Sequence, residues 1–133
     1  MRTTTKTKTL GSRFGALLAA LTMLLAAAGG AAQAETLELR FQSEHPNVVE
    51  FALYSQHRQG HSWPAPGRVY VLDDYEVNSV RLSCAAGESI CYGAWVKNRR
   101  DIYWGVGYGN RNRCRNCCYS CDGGRTGVIT LTP

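Results

Sequence analysis

Four cysteines within eight residues, Cys114-Arg-Asn-Cys117-Cys118-Tyr-Ser-Cys121, constrain this chain more than any other stretch, because cross-links made there fix where the rest can run. The other two thiols, Cys84 and Cys91, stand on either side of a short Ala-Ala-Gly-Glu segment. Six cysteines, an even number, fit three disulfides in an oxidising compartment and allow fifteen connectivities. If residues 86–89 form a hairpin loop, Cys84 falls opposite Cys91, Leu82 opposite Gly93 and Val80 opposite Trp95, at a spacing that a disulfide spans. Cys84 to Cys91 is therefore the expected pair, with the four clustered cysteines closing on one another.

The amino terminus agrees with such a compartment. Arg2, Lys6, Lys8 and Arg13 precede an uncharged run over residues 16–28, and Ala32-Gln33-Ala34 then offers small residues in the pattern that signal peptidase accepts. The run is shorter than the ~20 residues that cross a bilayer. Cleavage is expected after Ala34, leaving residues 35–133 as one exported domain, periplasmic or extracellular, without a transmembrane segment. No cysteine closely follows the apolar run, so lipid attachment has no site.

Processing also changes the charge. The expected mature chain keeps eleven Lys and Arg against ten Asp and Glu, a net charge of +1, so the basic character of the full chain is no argument for a nucleic-acid partner. The imbalance that survives is local. Lys97, Arg99, Arg100, Arg111, Arg113 and Arg115 face only Asp101, which makes this stretch +5 and the remainder −4.

Leu37, Leu39 and Phe41 alternate with Glu38, Arg40 and Gln42, the period of a half-buried strand. A turn over 43–47 and a β-branched, aromatic segment over 48–55 predict a hairpin. Gly60, Pro64, Pro66 and Gly67 make 56–67 an exposed loop. Further strands are predicted over 68–72, 77–84, 90–96, 102–108 and 126–131, with a turn over 73–76 and a charged loop over 97–101. About seven short strands with frequent turn signals predict an all-β fold, an antiparallel β-sandwich or open barrel stabilised by disulfides, without internal repeat or linker.

Chemistry-bearing patterns are sparse. The back-to-back Cys-x2-Cys units could hold zinc, but the side chains of adjacent residues such as Cys117 and Cys118 tend to diverge, and an oxidising compartment favours disulfides. The same units have the form of a redox dithiol. Their flanks are turn sequences rather than the helix N-terminus that stabilises a reactive thiolate, although nearby arginines lower a thiol pKa. His57 and His61 lie in the loop without a third ligand, and Asp73, Asp74 and Glu76 fit a turn that caps its own backbone. No nucleophile elbow or phosphate loop is present. No cofactor and no metal is expected.

What remains is a basic and aromatic stretch: Trp95, Lys97, Arg99, Arg100, Tyr103, Trp104, Tyr108, Arg111 and Arg113, running on to Arg115 and Tyr119. Aromatic faces beside cations stack on sugars and pair with anions, and Gly105, Gly107 and Gly109 would let a ligand approach the backbone. The competing expectation is that Trp95 and Trp104 are core residues.

The order Cys84…Gly87-Glu88-Ser-Ile90-Cys91-Tyr92-Gly93-Ala94-Trp95, Trp104-Gly-Val-Gly107 and Cys114 to Cys121 resembles a group of small exported bacterial proteins of unknown function. The resemblance spans about half of the mature chain and implies export and disulfide use, but no activity. The function expected is an exported binding module for an anionic or sugar-bearing envelope polymer or a protein partner. A small secreted enzyme, a hydrolase or a thiol-disulfide catalyst, is the alternative.

Overall fold

The alternating Leu37, Leu39 and Phe41 turn inward from β1 (Ala34–Ser43), the central strand of a three-stranded sheet. The computed structural model describes residues 33–133. The expected signal run lies outside the described residues. The expected cleavage point after Ala34 falls at the first residue of β1, which pairs with Ala85.

β1 is flanked by β5 (Asn78–Ala85), antiparallel, and β9 (Arg125–Leu131), parallel. The second sheet has β2 (Val49–Ser55) and β6 (Ser89–Val96) at its centre. The short β3 (Ser62–Trp63) and β4 (Tyr70–Leu72) pair with β2, while β7 (Arg99–Gly105) and the short β8 (Cys118–Ser120) pair with β6. The two sheets face each other across one core, in which Phe41 and Phe51 meet with ring centroids 4.4 Å apart. The fold is all-β, with no α-helix among the described residues and three disulfides.

Several pairings differ from expectation. β1 and β2 do not form a hairpin: residues 44–48 carry the chain from one sheet to the other. A hairpin would place Leu37, Leu39 and Phe41 beside Val49, Phe51 and Leu53 on one surface. Opposite sheets let these rows bury each other, at about 1.5–3 kcal/mol for each large side chain removed from water.

The same crossing separates β5 from β6, so Cys84 is not paired with Cys91. Cys84 points into the core with Leu82 and bonds Cys121. Cys91 projects from the other side of β6, out of phase with inward Ile90 and Ala94, and bonds Cys118. Only Cys114–Cys117 closes within the cluster. The parallel β1–β9 pair is another departure, since antiparallel pairing was expected throughout.

The strand expected over 102–108 begins earlier and ends earlier. Val96 pairs with Arg99, leaving Lys97 and Asn98 as a two-residue turn with Asn98 at φ 65°, a left-handed conformation that Asn tolerates. Tyr108 then falls in a single 3-10 turn, Tyr108–Asn110. The 56–67 loop is largely exposed as expected, but Trp63 is buried within it and donates from Nε1 to the Ser83 carbonyl at 3.2 Å. In the acidic turn, Asp74 Oδ1 accepts from the Glu76 N–H at 3.1 Å, the local capping expected there.

Candidate functional site

Strand alternation decides what lies on the outer face of the larger sheet. With Phe51, Leu53, Ile90 and Ala94 turned to the core, the cross-strand pairs Glu50–Trp95, Ala52–Gly93 and Tyr54–Cys91 must face outward. The segment after β7 folds back over this face, where Val106 and Cys117 join Cys91 in a second small buried cluster.

Glycine makes the contact possible. A Cβ on Gly93 would lie 2.0 Å from the Gly107 carbonyl oxygen, and one on Gly105 would lie 2.1 Å from the Tyr92 carbonyl oxygen. Gly105 and Gly107, read from sequence as leaving room for a ligand, instead leave room for the chain itself. Both neighbours are backbone and cannot swing aside. Gly93→Ala is therefore expected to lift the segment from the sheet, lowering stability by about 1–3 kcal/mol and exposing Trp95. Urea unfolding followed by tryptophan fluorescence checks both effects; unchanged emission and midpoint would contradict the contact.

The nine residues expected to form one binding face are dispersed. Trp95 is 1% exposed, donates from Nε1 to Glu50 Oε2 at 3.1 Å and meets the Tyr108 ring edge-on at 5.0 Å. It supports the surface from below. Trp104 points toward the core side, packs on it and donates to the Thr132 carbonyl at 2.8 Å. Lys97 sits in the hairpin turn, and Arg99 is held by Asp101 at 2.9 and 3.0 Å. The hydrogen bonds from Arg99 keep the Asp101 carboxyl below its usual range.

The others do converge. The Arg100 guanidinium stands 3.4 Å from the Tyr108 ring centroid and that of Arg111 stands 5.9 Å from it, a cation–π arrangement beside Trp95, which Tyr108 meets edge-on. Tyr103 is 45% exposed and lies across from Trp95 on the same face. Arg111 and Arg113 line a cleft of ≈ 660 Å³ with Arg115, Gln56, Asn110 and Asn112. Cys91, Cys114, Cys118 and Val106 complete the lining. A smaller cleft of ≈ 240 Å³ shares Arg111 and is lined by Tyr54, Ser62, Arg68, Trp95 and Tyr108.

The larger cleft has a definite electrostatic character. Arg111, Arg113 and Arg115 are exposed, none has a carboxylate within salt-bridge distance among the described residues, and no Asp or Glu lines the cleft. Guanidinium groups pair with carboxylate, sulfate or phosphate through two parallel hydrogen bonds, and the three amides can bond hydroxyl groups. The lining contains no imidazole, carboxylate or hydroxyl, so it supplies no general base or oxygen nucleophile. The alternating Arg-x-Arg-x-Arg spacing was legible in the sequence. The contribution of Gln56, 54 residues from its hydrogen-bond partner Asn110, was not.

A second constellation was missed entirely. Glu88 is 1% exposed, yet its carboxylate accepts from Arg58 Nε at 2.7 Å, Arg58 Nη2 at 2.8 Å, Ser55 Oγ at 2.5 Å and the Ala85 N–H at 2.9 Å. Burial alone would raise its pKa. The hydrogen bonds from Arg58, Ser55 and Ala85, with the attraction of the guanidinium, overcome that and hold it at about 2. A strongly shifted carboxyl often marks a catalytic site. Here every oxygen is occupied and the group is ionised at neutral pH, which describes a clamp between the β5–β6 turn and the loop after β2. Compared with family models, curated proteins and solved structures, the chain matches none.

Proposed function

We propose that the protein is an exported binding module and that the arginine cleft anchors an anionic ligand outside the cytoplasm, a carboxylate-bearing glycan in the first instance. The observation that carries this reading is the set of three arginines, Arg111, Arg113 and Arg115, that line one cleft and have no carboxylate partner among the described residues. The amides of Gln56, Asn110 and Asn112 beside them suit hydroxyl-rich chains, and exposed Tyr103 adds an aromatic face on the same side. Six cysteines held as three disulfides support an oxidising compartment, in keeping with the amino-terminal signal pattern.

Polygalacturonate is a suitable probe. Exposed ion pairs contribute about 0.2–1 kcal/mol each, so Arg111→Ser/Arg113→Ser/Arg115→Ser is expected to weaken binding about thirtyfold, with the affinity of the parent falling steeply as salt rises. Arg99→Ser should change binding less than about twofold, because Arg99 is already engaged with Asp101. Equal affinity of the triple variant and the parent would overturn the cleft assignment. Retention of acidic proteins but not of the glycan would redirect it to a protein partner.

A further inference from the structure

We propose that the disulfide Cys114–Cys117 is a thiol–disulfide exchange site and that Cys114 receives an acidic thiol anchored in the arginine cleft. The proposal rests on the anion-binding reading above and names a substrate class for that same site.

The three disulfides differ in ring size and access. Cys114–Cys117 links residues 3 apart, against 27 for Cys91–Cys118 and 37 for Cys84–Cys121. A short ring receives the least protection from loop-closure entropy, which makes it the easiest of the three to open. Its two ends are unlike. Cys114 is half-buried and lines the cleft, whereas Cys117 is 0% exposed. An approaching thiolate therefore reaches Cys114 rather than Cys117; exposed Cys118 lines the same cleft, but its bond to Cys91 closes a longer loop and is the harder of the two to open. Arg113 and Arg115 flank Cys114 in sequence, line the same cleft and have no carboxylate partner among the described residues. Their field concentrates an anionic thiol at this sulfur and favours the thiolate over the thiol. Cys84–Cys121 lies inside the core and has no such access.

The exchange balances as follows. The ligand thiolate attacks Sγ of Cys114, a sulfur–sulfur bond forms between them, the Cys114–Cys117 bond breaks, and the electron pair leaves on Cys117. Cys117 Sγ lies 4.0 Å from Sγ of Cys118, which is half of the neighbouring disulfide. The new thiolate thus has two routes. It can return to Cys114 and expel the ligand, or attack Cys118 and release Cys91 as the thiolate. A second ligand thiolate can instead attack the sulfur of the first, leaving with it as the ligand disulfide and expelling Cys114 as a thiolate; the protein has then gained two electrons, and its two thiolates take any protons from solvent.

The test uses native full-length protein with glutathione, a thiol of net negative charge, and cysteamine, a cationic thiol, compared per thiolate at low ionic strength. Acid quenching and peptide mapping locate the adduct. Glutathione is expected on Cys114, forming at least about tenfold faster than the cysteamine adduct, with the preference lost in ~0.5 M salt and in Arg113→Ser/Arg115→Ser. Equal rates for the two thiols, or an adduct on Cys91 or Cys118, would overturn the proposal. S-Methylglutathione, which keeps the charges and lacks the thiol, separates the two readings through shifts of the cleft amide resonances. If it binds while glutathione leaves Cys114 unmodified, exchange fails and anion binding stands. If it does not bind, anion binding fails for this ligand class and the acidic-thiol proposal fails with it.

Discussion

Cys84→Ala/Cys121→Ala is expected to lose about 4 kcal/mol of unfolding free energy, whereas Cys114→Ala/Cys117→Ala loses about 2 kcal/mol. The difference follows from the chain each bond closes, since the first links positions 37 apart and the second positions 3 apart. Constraint of the unfolded chain grows with the logarithm of that length. Cys84 and Cys121 are also buried in the core between the sheets, so their removal adds a packing loss. Domains of this size are stable by only ~5–15 kcal/mol, which makes the first loss a large fraction of the total. Urea denaturation of the two double variants checks the order. Equal losses, or a larger one for Cys114–Cys117, would contradict it.

Acid is expected to remove a comparable amount through one side chain. The folded-state pKa of Glu88, about 2, lies below its ordinary value of 4.5, so its contribution is fully present above about pH 5 and disappears as pH falls through about 2. The shift corresponds to about 2–3 kcal/mol once screening at half-exposed Arg58 is allowed for. Glu88→Gln keeps the volume but removes the charge that Arg58, Ser55 and the Ala85 N–H address. At pH 7 it should be less stable than the parent by that amount, and the gap should narrow toward pH 2. Denaturant titrations at several pH values test the difference between the two proteins, which cancels the other carboxylates. A gap that stays constant with pH would show that Glu88 is not the titrating group.

Much of the strand content was legible because half-buried strands carry their own period: Leu37, Leu39 and Phe41 identify β1 without help from the rest of the chain. Sheet membership was not legible. The short connection between β5 and β6 reads as a hairpin, yet it crosses between sheets, and nothing local distinguishes the two. The apolar run Ile90-Cys-Tyr-Gly-Ala-Trp-Val96 held a neglected clue, since a strand without polar alternation is covered on both faces. The cover is the cysteine-rich segment itself. That also explains the candidate site. Aromatic and basic residues interleave in sequence, but strand parity sends Trp95 and Trp104 to opposite faces of one sheet, and only the residues past β7 gather at the cleft. Glu88 was hidden for a different reason: an acidic residue after a glycine looks like a solvated turn until Arg58, 30 residues away, is placed against it.

The position of β1 in the middle of its sheet sets an order of assembly. Leu39 pairs with Val80 on one side, while Arg40 pairs with Val128 on the other, so the partners lie about 40 and 90 positions downstream. A chain delivered amino terminus first, from a ribosome or through a translocation pore, presents β1 with both edges bare until β5 and then β9 arrive. Bare edges are templates for pairing with other chains, and distant partners make such sheets slow to close. Cys121 precedes β9 by only a few residues, so the bond that ties it to Cys84 cannot form before nearly all of the sheet-forming sequence has been delivered.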